Sequence, residues 1–376
     1  MRAKLRALPY VILLLPLDIV VAMALLAAQV VGEIRGQTPK SPKFTKDSEP
    51  NLGDLGVCPR ISATIIIVNW DGKHFLEECL PAVLEAVRFE GGNHEILVVD
   101  NGSTDGSAVF VRNQFPQVRV LTLDRNYGFT GGNNRGVREA QTDIVVFLNN
   151  DMVVDRGFLK PLLDGFRDPS VFAVTSQIFF SDSTRRREET GKTRARFNRG
   201  FFELWHDEIH PQDEKLETMP VFWAGGGSCA FDRNKYLAIG GLDLLYHPFY
   251  VEDADLSYQA WKRGWKCLLA PASHVVHKHR GTSRPKFGDD FVENTIRKNQ
   301  FLFIWKNVTD SVMLMEHLKN LPRIHGRAIV EHGPAFEVKA YFRAFRQLPE
   351  ALWKRLANLR EYVITDQEVL ARSQKA

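Results

Sequence analysis

Cysteine is scarce in this 376-residue chain, which has only Cys58, Cys79, Cys229 and Cys267, with no CxxC pair among them. Three of the four sit within apolar stretches, the setting of reduced core thiols rather than of a disulfide framework, and this fits a cytosolic catalytic domain. An excess of one charge is also missing: 49 Lys and Arg stand against 45 Asp and Glu, for a net +4, and the basic residues are spread through the chain. A nucleic-acid partner is therefore not expected, while an anionic membrane or a phosphate ligand gains mild support. Internal repeats are absent. Hydrophobic residues at 44% and charged residues at 25% exclude disordered and collagen-like classes, and the length suffices for one large α/β domain with additions at both ends.

Long apolar runs are rare too, and the one present lies at the amino terminus. From Leu8 to Val31 nearly every residue is apolar, matching the roughly 20 residues that a bilayer-spanning helix needs. A signal peptide is the competing reading, but its apolar region is shorter, about 7 to 15 residues. Pro16 and Asp18 interrupt the run, and a central Asp costs roughly 2.5 to 3.5 kcal/mol on insertion. The segment 1–36 is thus expected to be a membrane anchor, either spanning or re-entrant. Residues 37–59, rich in Pro, Lys, Ser, Asp and Gly without apolar period, read as a linker. A catalytic domain is expected over 60–285 and a helical region over 286–376.

After Arg60 the pattern alternates. The β-branched run Ala63 to Val68 predicts a buried strand, and Leu76, Leu80, Val83, Leu84 and Val87 fall at helical spacing. The alternation recurs with Ile96 to Val99, Ala108 to Phe115, Val118 to Leu123, Asn133 to Ala140 and Ile144 to Leu148. It predicts an α/β fold with a mostly parallel central sheet and helices on both faces. Ligands in such sheets bind beyond the carboxyl ends of the strands, and here those ends are polar. Residues 181–220 read as a solvated insertion of mixed charge. Helices are expected over Phe291 to Trp305, Val312 to Leu321 and Phe336 to Tyr362, packed on the core or against a membrane surface.

The first strand runs into Asn69-Trp70-Asp71-Gly72 and the second into Asp100-Asn101-Gly102-Ser103. The Asp100 carboxylate can accept from a base N–H or a ribose hydroxyl, although turn chemistry alone accounts for such residues equally well. In the next segment, Arg125 to Gly136, glycines including Gly131 stand ahead of a helix expected from Asn133. There, backbone N–H groups and Arg125 or Arg135 can meet a phosphate. The spacing is not G-x-G-x-x-G, so a dinucleotide oxidoreductase is disfavoured. The fourth strand ends in Asn149-Asn150-Asp151, where a carboxylate beside amides suits Mg2+ or Mn2+ held with substrate phosphates. Glu252, Asp253 and Asp255 open a later helix: Glu252 and Asp253 are placed just before its first turn, facing a cleft, and Asp255 is its dipole partner. In His274 to Ser283, His277 and His279 share one strand face and His274 the other, which favours a single His ligand over a three-histidine zinc site.

Together IIIVNWDG, VVDNGSTDGS, NYGFTGGNNRG, FLNNDMVV, GGGSCAFDR, VEDADLSYQAWKRGW and HVVHKHRGTS resemble, in that order, the family-2 glycosyltransferases of GT-A fold, especially bacterial rhamnosyltransferase-like members. The resemblance covers about Ile61 to Ser283. It implies inverting, metal-dependent transfer of a sugar from a nucleotide diphosphate, UDP- or dTDP-linked with rhamnose a candidate, to a hydroxyl of a glycan or lipid-linked glycan in cell-surface polysaccharide synthesis. Donor contacts would come from Asn69, Asp100, Asn101, Arg125, Gly131, Asn133, Asn149 and Asn150. Asp151 with His277, or alternatively His279, would hold the metal, and Asp253 with Glu252 would carry proton transfer. The first position of the D-x-D element is Asn149, a departure from the commoner aspartate. With donors made in the bacterial cytosol, the domain is expected on the cytosolic face of the inner membrane. A nucleotidyltransferase of similar fold and a non-catalytic membrane-bound module are the alternatives.

Overall fold

A computed structural model describes residues 2–34, 61–182, 189–278 and 287–375. The expected linker, Cys58, Arg185 to Arg187 and His279 lie outside these described residues. The domain opens with β1 (Ala63–Asn69), α2 (Lys73–Glu90), β2 (Glu95–Asp100), α3 (Ser107–Gln114), β3 (Arg119–Thr122), α4 (Gly128–Glu139) and β4 (Ile144–Leu148), preceded by helix α1 (Arg2–Ile34). It continues through β5 (Met152–Val154), α5 (Leu159–Asp164), β6 (Val171–Phe180), β7 (Thr193–Asn198), β8 (Phe201–His206), β9 (Met219–Pro220), β10 (Ser228–Asp232), α6 (Arg233–Ile239), α7 (Glu252–Lys262) and β11 (Lys266–His277). The carboxyl-terminal helices are α8 (Asp289–Asn307), α9 (Ser311–His332), α10 (Pro334–Arg346), α11 (Leu348–Asn358) and α12 (Asp366–Arg372).

Among the described residues, nine strands form one sheet in the order β3-β2-β1-β4-β10-β6-β11-β5, with β9 against β11. The first four strands are mutually parallel, and β6 pairs with β11 in parallel. However, β10, β5 and β9 pair antiparallel with their neighbours, so the sheet is mixed. The reversed strands belong to the second half of the domain, where the simple strand–helix alternation of residues 63–148 lapses and short strands return without a crossover helix. Period-2 burial gives the sheet two apolar faces. Ile65 and Ile67 join a cluster with Leu76, Leu80 and Val83 of α2, whereas Ile66 joins the opposite cluster with Val137, Phe147 and Phe231.

That second cluster continues without a break through Tyr258 and Trp261 of α7, Phe301 and Trp305 of α8, and Leu14, Val21 and Leu25 of α1. The helices beyond residue 286 thus share a core with the sheet. Residues 190–220, expected as a solvated loop, instead carry the β7–β8 hairpin, whose Phe202 is buried against Phe222, Tyr258 and Phe303. Alternating charge along the hairpin hid it, because its outer face is polar while its inner face plugs the core. Helix α1 is uninterrupted from Arg2 to Ile34 with Pro9 and Pro16 inside it, so a re-entrant hairpin is not what this segment forms.

Candidate active site

The parallel register sets Asn69 beside Asp100 at the carboxyl edge of β1 and β2. The loops leaving that edge are tied together: Asp71 Oδ1 accepts from Thr104 N at 2.7 Å, and Asp105 Oδ2 accepts from Lys73 N at 2.9 Å. Asn69 is buried and accepts from Asn150 Nδ2 at 2.7 Å, linking the ends of β1 and β4. Asp100 is buried, with Oδ1 lacking a protein partner among the described residues. Burial raises its pKa, opposed by hydrogen bonds from Ser103. A buried acceptor without a donor is costly unless a ligand supplies one.

Asn101 and the glycines shape the loop and helix that follow β3. The Asn101 side chain donates to Asn126 Oδ1 and Gly128 O at 3.0 and 3.1 Å and accepts from Tyr127 N at 2.9 Å. It brackets the loop before α4 and has its capacity used by protein groups. Helix α4 starts at Gly128, five residues earlier than expected, so Gly131 and Asn133 lie within it. A Cβ on Gly131 would meet Tyr127 Cβ at 2.6 Å, one on Gly132 would meet Val68 at 2.7 Å, and one on Gly136 would meet Ile66 at 2.6 Å. Gly132 and Gly136 therefore allow close packing of α4 on the sheet, whereas Gly131 is crowded by Tyr127 just ahead of its own helix. Asn133 is buried and donates back to Phe129 O at 3.0 Å. The Arg125 and Arg135 guanidiniums flank the Tyr127 ring at 4.9 and 3.4 Å from its centroid.

Beyond β4, Asn149 N donates to Gly227 O at 2.8 Å. Asp151 is buried and its Oδ2 stands 3.1 Å from His277 Nε2, because Met152 at the start of β5 is in register with His277 at the end of β11. The other imidazole nitrogen, Nδ1, is 3.2 Å from Glu189 Oε2. Burial opposes protonation of His277, but hydrogen bonds to the two carboxylates prevail and carry its pKa up to about 9. His274 points elsewhere and pairs with Asp155 at 3.3 Å.

A divalent ion would find a partial donor set here. Among the described residues no group of three His, Cys, Asp or Glu side chains converges on one point, and the geometry says why: the two nitrogens of one imidazole face Asp151 and Glu189 in different directions. Two ligands do fit. In an octahedral ion with bonds of about 2.1 Å, neighbouring ligands lie about 3 Å apart, close to the Asp151–His277 separation. Burial, with the Asp151 charge adding, pushes the thiol of nearby Cys79 up to about 12, and Mg2+ or Mn2+ prefers oxygen ligands to a thiol.

The loop Gly225-Gly226-Gly227 joins this edge to α7. Gly227 takes the Asn149 N–H, and Gly226 N donates to Asp253 Oδ2 at 3.3 Å. Asp253 Oδ1 also accepts from Ala254 N at 2.8 Å. Asp253 lies inside the first turn of α7, which begins at Glu252 rather than after Asp253. Ahead of it, Tyr250 and Val251 have φ of 70° and 77°, a conformation that a β-branched residue adopts only under constraint. The constraint comes from α8: Asn299 Nδ2 reaches the carbonyls of Tyr246, Phe249 and Tyr250 at 2.8–3.0 Å. Asp255 is fully buried among Tyr246, Gln259, Lys306 and Asn307. It is a structural anchor more than a dipole partner.

The paired carboxyls at the helix start differ. Glu252 is buried with Oε2 unpartnered among the described residues, and burial, with the Asp253 charge adding, raises its pKa to about 8. Asp253 keeps part of its surface; burial raises it too, but the N–H groups of Gly226 and Ala254 favour its charged form. Of the two, Asp253 is the one whose charged form the backbone N–H groups of Gly226 and Ala254 favour. Sequence reasoning missed Glu189 and also Gln177 of β6, whose side-chain polar atoms are buried and unpartnered among the described residues. Neither belongs to a motif: Gln177 is brought here by the pairing of β6 with β11, and Glu189 lies ahead of β7 in no strand and reaches His277 across 88 residues of sequence.

A β3-β2-β1-β4 parallel half with a polar carboxyl edge, continued by an acidic helix and a His-bearing strand, is the GT-A glycosyltransferase architecture. GalNAc-T7, solved with UDP, GalNAc and Mn2+, matches with a TM-score of 0.52 at 18% identity, over 77% of this chain and 56% of that one. The crystal structure of S. aureus TarS 1-349 matches with a TM-score of 0.51 at 13% identity, over 80% and 89%. At these identities the likeness is one of fold. Residues 64–233, somewhat under half of the chain, match glycosyl transferase family 2. The N-acetylglucosaminyl-diphospho-decaprenol L-rhamnosyltransferase of Mycobacterium tuberculosis is 28% identical over 210 residues, which are 50% of this chain and 68% of that protein. N-acetylgalactosaminyltransferase 6 of Drosophila melanogaster is 27% identical over 266 residues, but the match spans only 37% of its length.

Proposed function

We propose that the protein transfers a sugar, with inversion, from a nucleotide-diphosphate donor to a hydroxyl of a glycan or lipid-linked glycan at a membrane. The observation that carries this reading is the Gly225–Gly227 loop, which ties the Asp151–His277 pair's edge, through Asn149, to Asp253. A UDP- or dTDP-linked donor suits the family, and rhamnose is the favoured sugar because the mycobacterial relative is named for it. Asp100 would accept from the nucleotide, with Asn69, Asn149 and Asn150 lining the same edge. Asn101, Gly131 and Asn133 would shape that edge from behind, and Arg125 would supply positive charge.

Asp151 and His277 would hold Mn2+ or Mg2+, the former present in the GalNAc-T7 structure; when bound, such an ion offsets negative charge on the departing diphosphate. Asp253 would take the acceptor hydroxyl proton while that oxygen attacks the anomeric carbon and the bond to the diphosphate breaks. Buried, neutral Glu252 would leave Asp253 as the charged member. Cell-surface polysaccharide synthesis on the cytosolic face of a bacterial inner membrane is the setting that this donor chemistry favours.

The test is a screen of nucleotide-sugars by thermal shift with Mn2+, followed by transfer assays. Asp151→Ala should lose Mn2+-dependent donor binding in titration calorimetry. Retention of parental Mn2+ and donor binding would overturn the metal assignment. Pyrophosphate release from a nucleoside triphosphate and sugar phosphate would point instead to a nucleotidyltransferase, and donor binding without hydrolysis or transfer to a binding module.

A further inference from the structure

Helix α1 is apolar almost throughout, yet one stripe of it is committed to the protein. Ala7, Leu14, Asp18, Val21, Leu25 and Ala28 are buried, and their steps of three, four and seven residues are those of a heptad seam. Near the middle, Asp18 Oδ1 accepts from Tyr341 Oη at 2.6 Å and lies 3.1 Å from His325 Nε2. His325 Nδ1 is 2.7 Å from Glu337 Oε1, and Arg297 grips Glu337 with two hydrogen bonds of 2.8 Å. Toward the carboxyl end, Gln29 donates to Thr309 O at 3.2 Å and accepts from Arg355 at 2.9 Å. The Asp that interrupts the apolar run is therefore a partner of the carboxyl-terminal helices.

The seam fixes how the helix can meet a bilayer. Helix α9 runs antiparallel to α1, with Thr309 just ahead of it opposite Gln29, His325 opposite Asp18 and Gly326 near Val11. If α1 crossed the hydrocarbon, α9 would go with it. Yet α9 exposes Lys319, Arg323, Arg327 and Glu331, side chains that a lipid-facing surface excludes. On the other side of α1, Leu8, Ile12, Leu13, Ile19, Met23 and Val30 are exposed, an apolar strip too long for a soluble surface to leave uncovered. The flanking region 311–361 carries nine Lys and Arg against five Asp and Glu, and Arg2, Lys4 and Arg6 add to it. That balance favours an anionic lipid surface.

We propose that α1 is an in-plane anchor: it lies along an anionic bilayer with its outer strip in the headgroup–acyl boundary, held from behind by α9 and α10, and both its ends stay on one side of the membrane. This arrangement places the catalytic domain on the side of the amino terminus, whereas a spanning helix with Arg2, Lys4 and Arg6 kept on the cytosolic side would send the domain across the membrane.

The experiment uses the full chain with Cys58→Ser, leaving the buried native thiols in place. In sealed membrane vesicles, single cysteines at Lys4 and Gln37 are treated with a membrane-impermeant maleimide. Labelling of both from the same side is expected, and labelling from opposite sides would overturn the proposal in favour of a spanning helix. In flotation, binding to phosphatidylglycerol-containing vesicles should exceed binding to phosphatidylcholine alone. The double variant Ile12→Glu, Met23→Glu, altered only on the exposed strip, should lose that binding while keeping the parent's melting temperature. A parent that floats with neither vesicle and dimerises with concentration would show a second copy on the strip instead, and would overturn the lipid assignment.

Discussion

Glu252 and Asp253 are adjacent carboxyls whose surroundings pull them apart. Both gain pKa from burial, but Asp253 accepts from the backbone N–H groups of Gly226 and Ala254, whereas Glu252 Oε2 has no partner among the described residues. Asp253→Asn keeps shape and removes basicity, so turnover should fall by about 10²- to 10⁴-fold with donor affinity nearly unchanged. Collapse in Glu252→Gln with near-parental Asp253→Asn would move the base one residue earlier. A stability measurement separates the two further. Glu252 titrates near 8 in the folded chain against an ordinary value of 4.5, so between those values the native state holds a proton that the unfolded state has lost. Stability from this group is full below pH 4.5 and declines as pH rises toward 8. Glu252→Gln should therefore flatten the fall in melting temperature between pH 5 and 8; an unchanged slope would mean that Glu252 is not buried neutral.

At the scale of elements, the start of α7 is positioned from outside the family-2 segment. Asn299 of α8 holds three carbonyls of the loop that delivers Tyr250 and Val251 in left-handed backbone, while Lys306 and Asn307 fasten Asp255. Asn299→Ala leaves those carbonyls without their donor, at a cost of about 1 to 3 kcal/mol. The expected outcome is a lower melting temperature and a larger loss in kcat than in donor affinity, measured by calorimetry beside steady-state kinetics. Equal losses in both would mean that the loop serves the donor pocket. The strands of the parallel half were legible because buried β-branched runs and polar strand ends are local signals. The α8 clamp was not, since a helix at sequence distance 50 announces its amphipathy but not the loop it holds. Helix α4 was read five residues short because glycines that allow packing against Ile66 and Val68 look like loop glycines in sequence. The β7–β8 hairpin was missed because its charged outer face masked the alternation, and Glu189 because a residue in no strand meets His277 across 88 residues of sequence.

Over the whole molecule, an apolar cluster and a polar chain connect the amino-terminal helix to the catalytic domain. Leu14, Val21 and Leu25 share a cluster with Leu321, Tyr341, Phe301 and Tyr258, and the Asp18–His325–Glu337–Arg297 chain runs into α8, the helix that clamps the loop before Glu252. Burial of three such apolar side chains is worth roughly 1.5 to 3 kcal/mol each, and loss of Asp18 would strand His325 and Tyr341 without their acceptor. The amino-terminal segment is therefore part of the fold and not a detachable tether. A chain started at Arg60 should melt below the full chain in matched mild detergent by roughly 5 to 10 °C, bind more of an apolar dye, and lose turnover as α8 loosens. Arg355, which donates to Gln29 and to backbone carbonyls of Trp305 and Val308, would lose one of its acceptors in the same step. Asp18→Asn in the full chain isolates the polar part: it keeps the apolar seam and an acceptor for Tyr341 but removes the charge facing His325, so its melting temperature should fall between the two. A chain begun at Arg60 that melts with the parent and turns over at the parental rate would show that the seam contributes nothing to the domain.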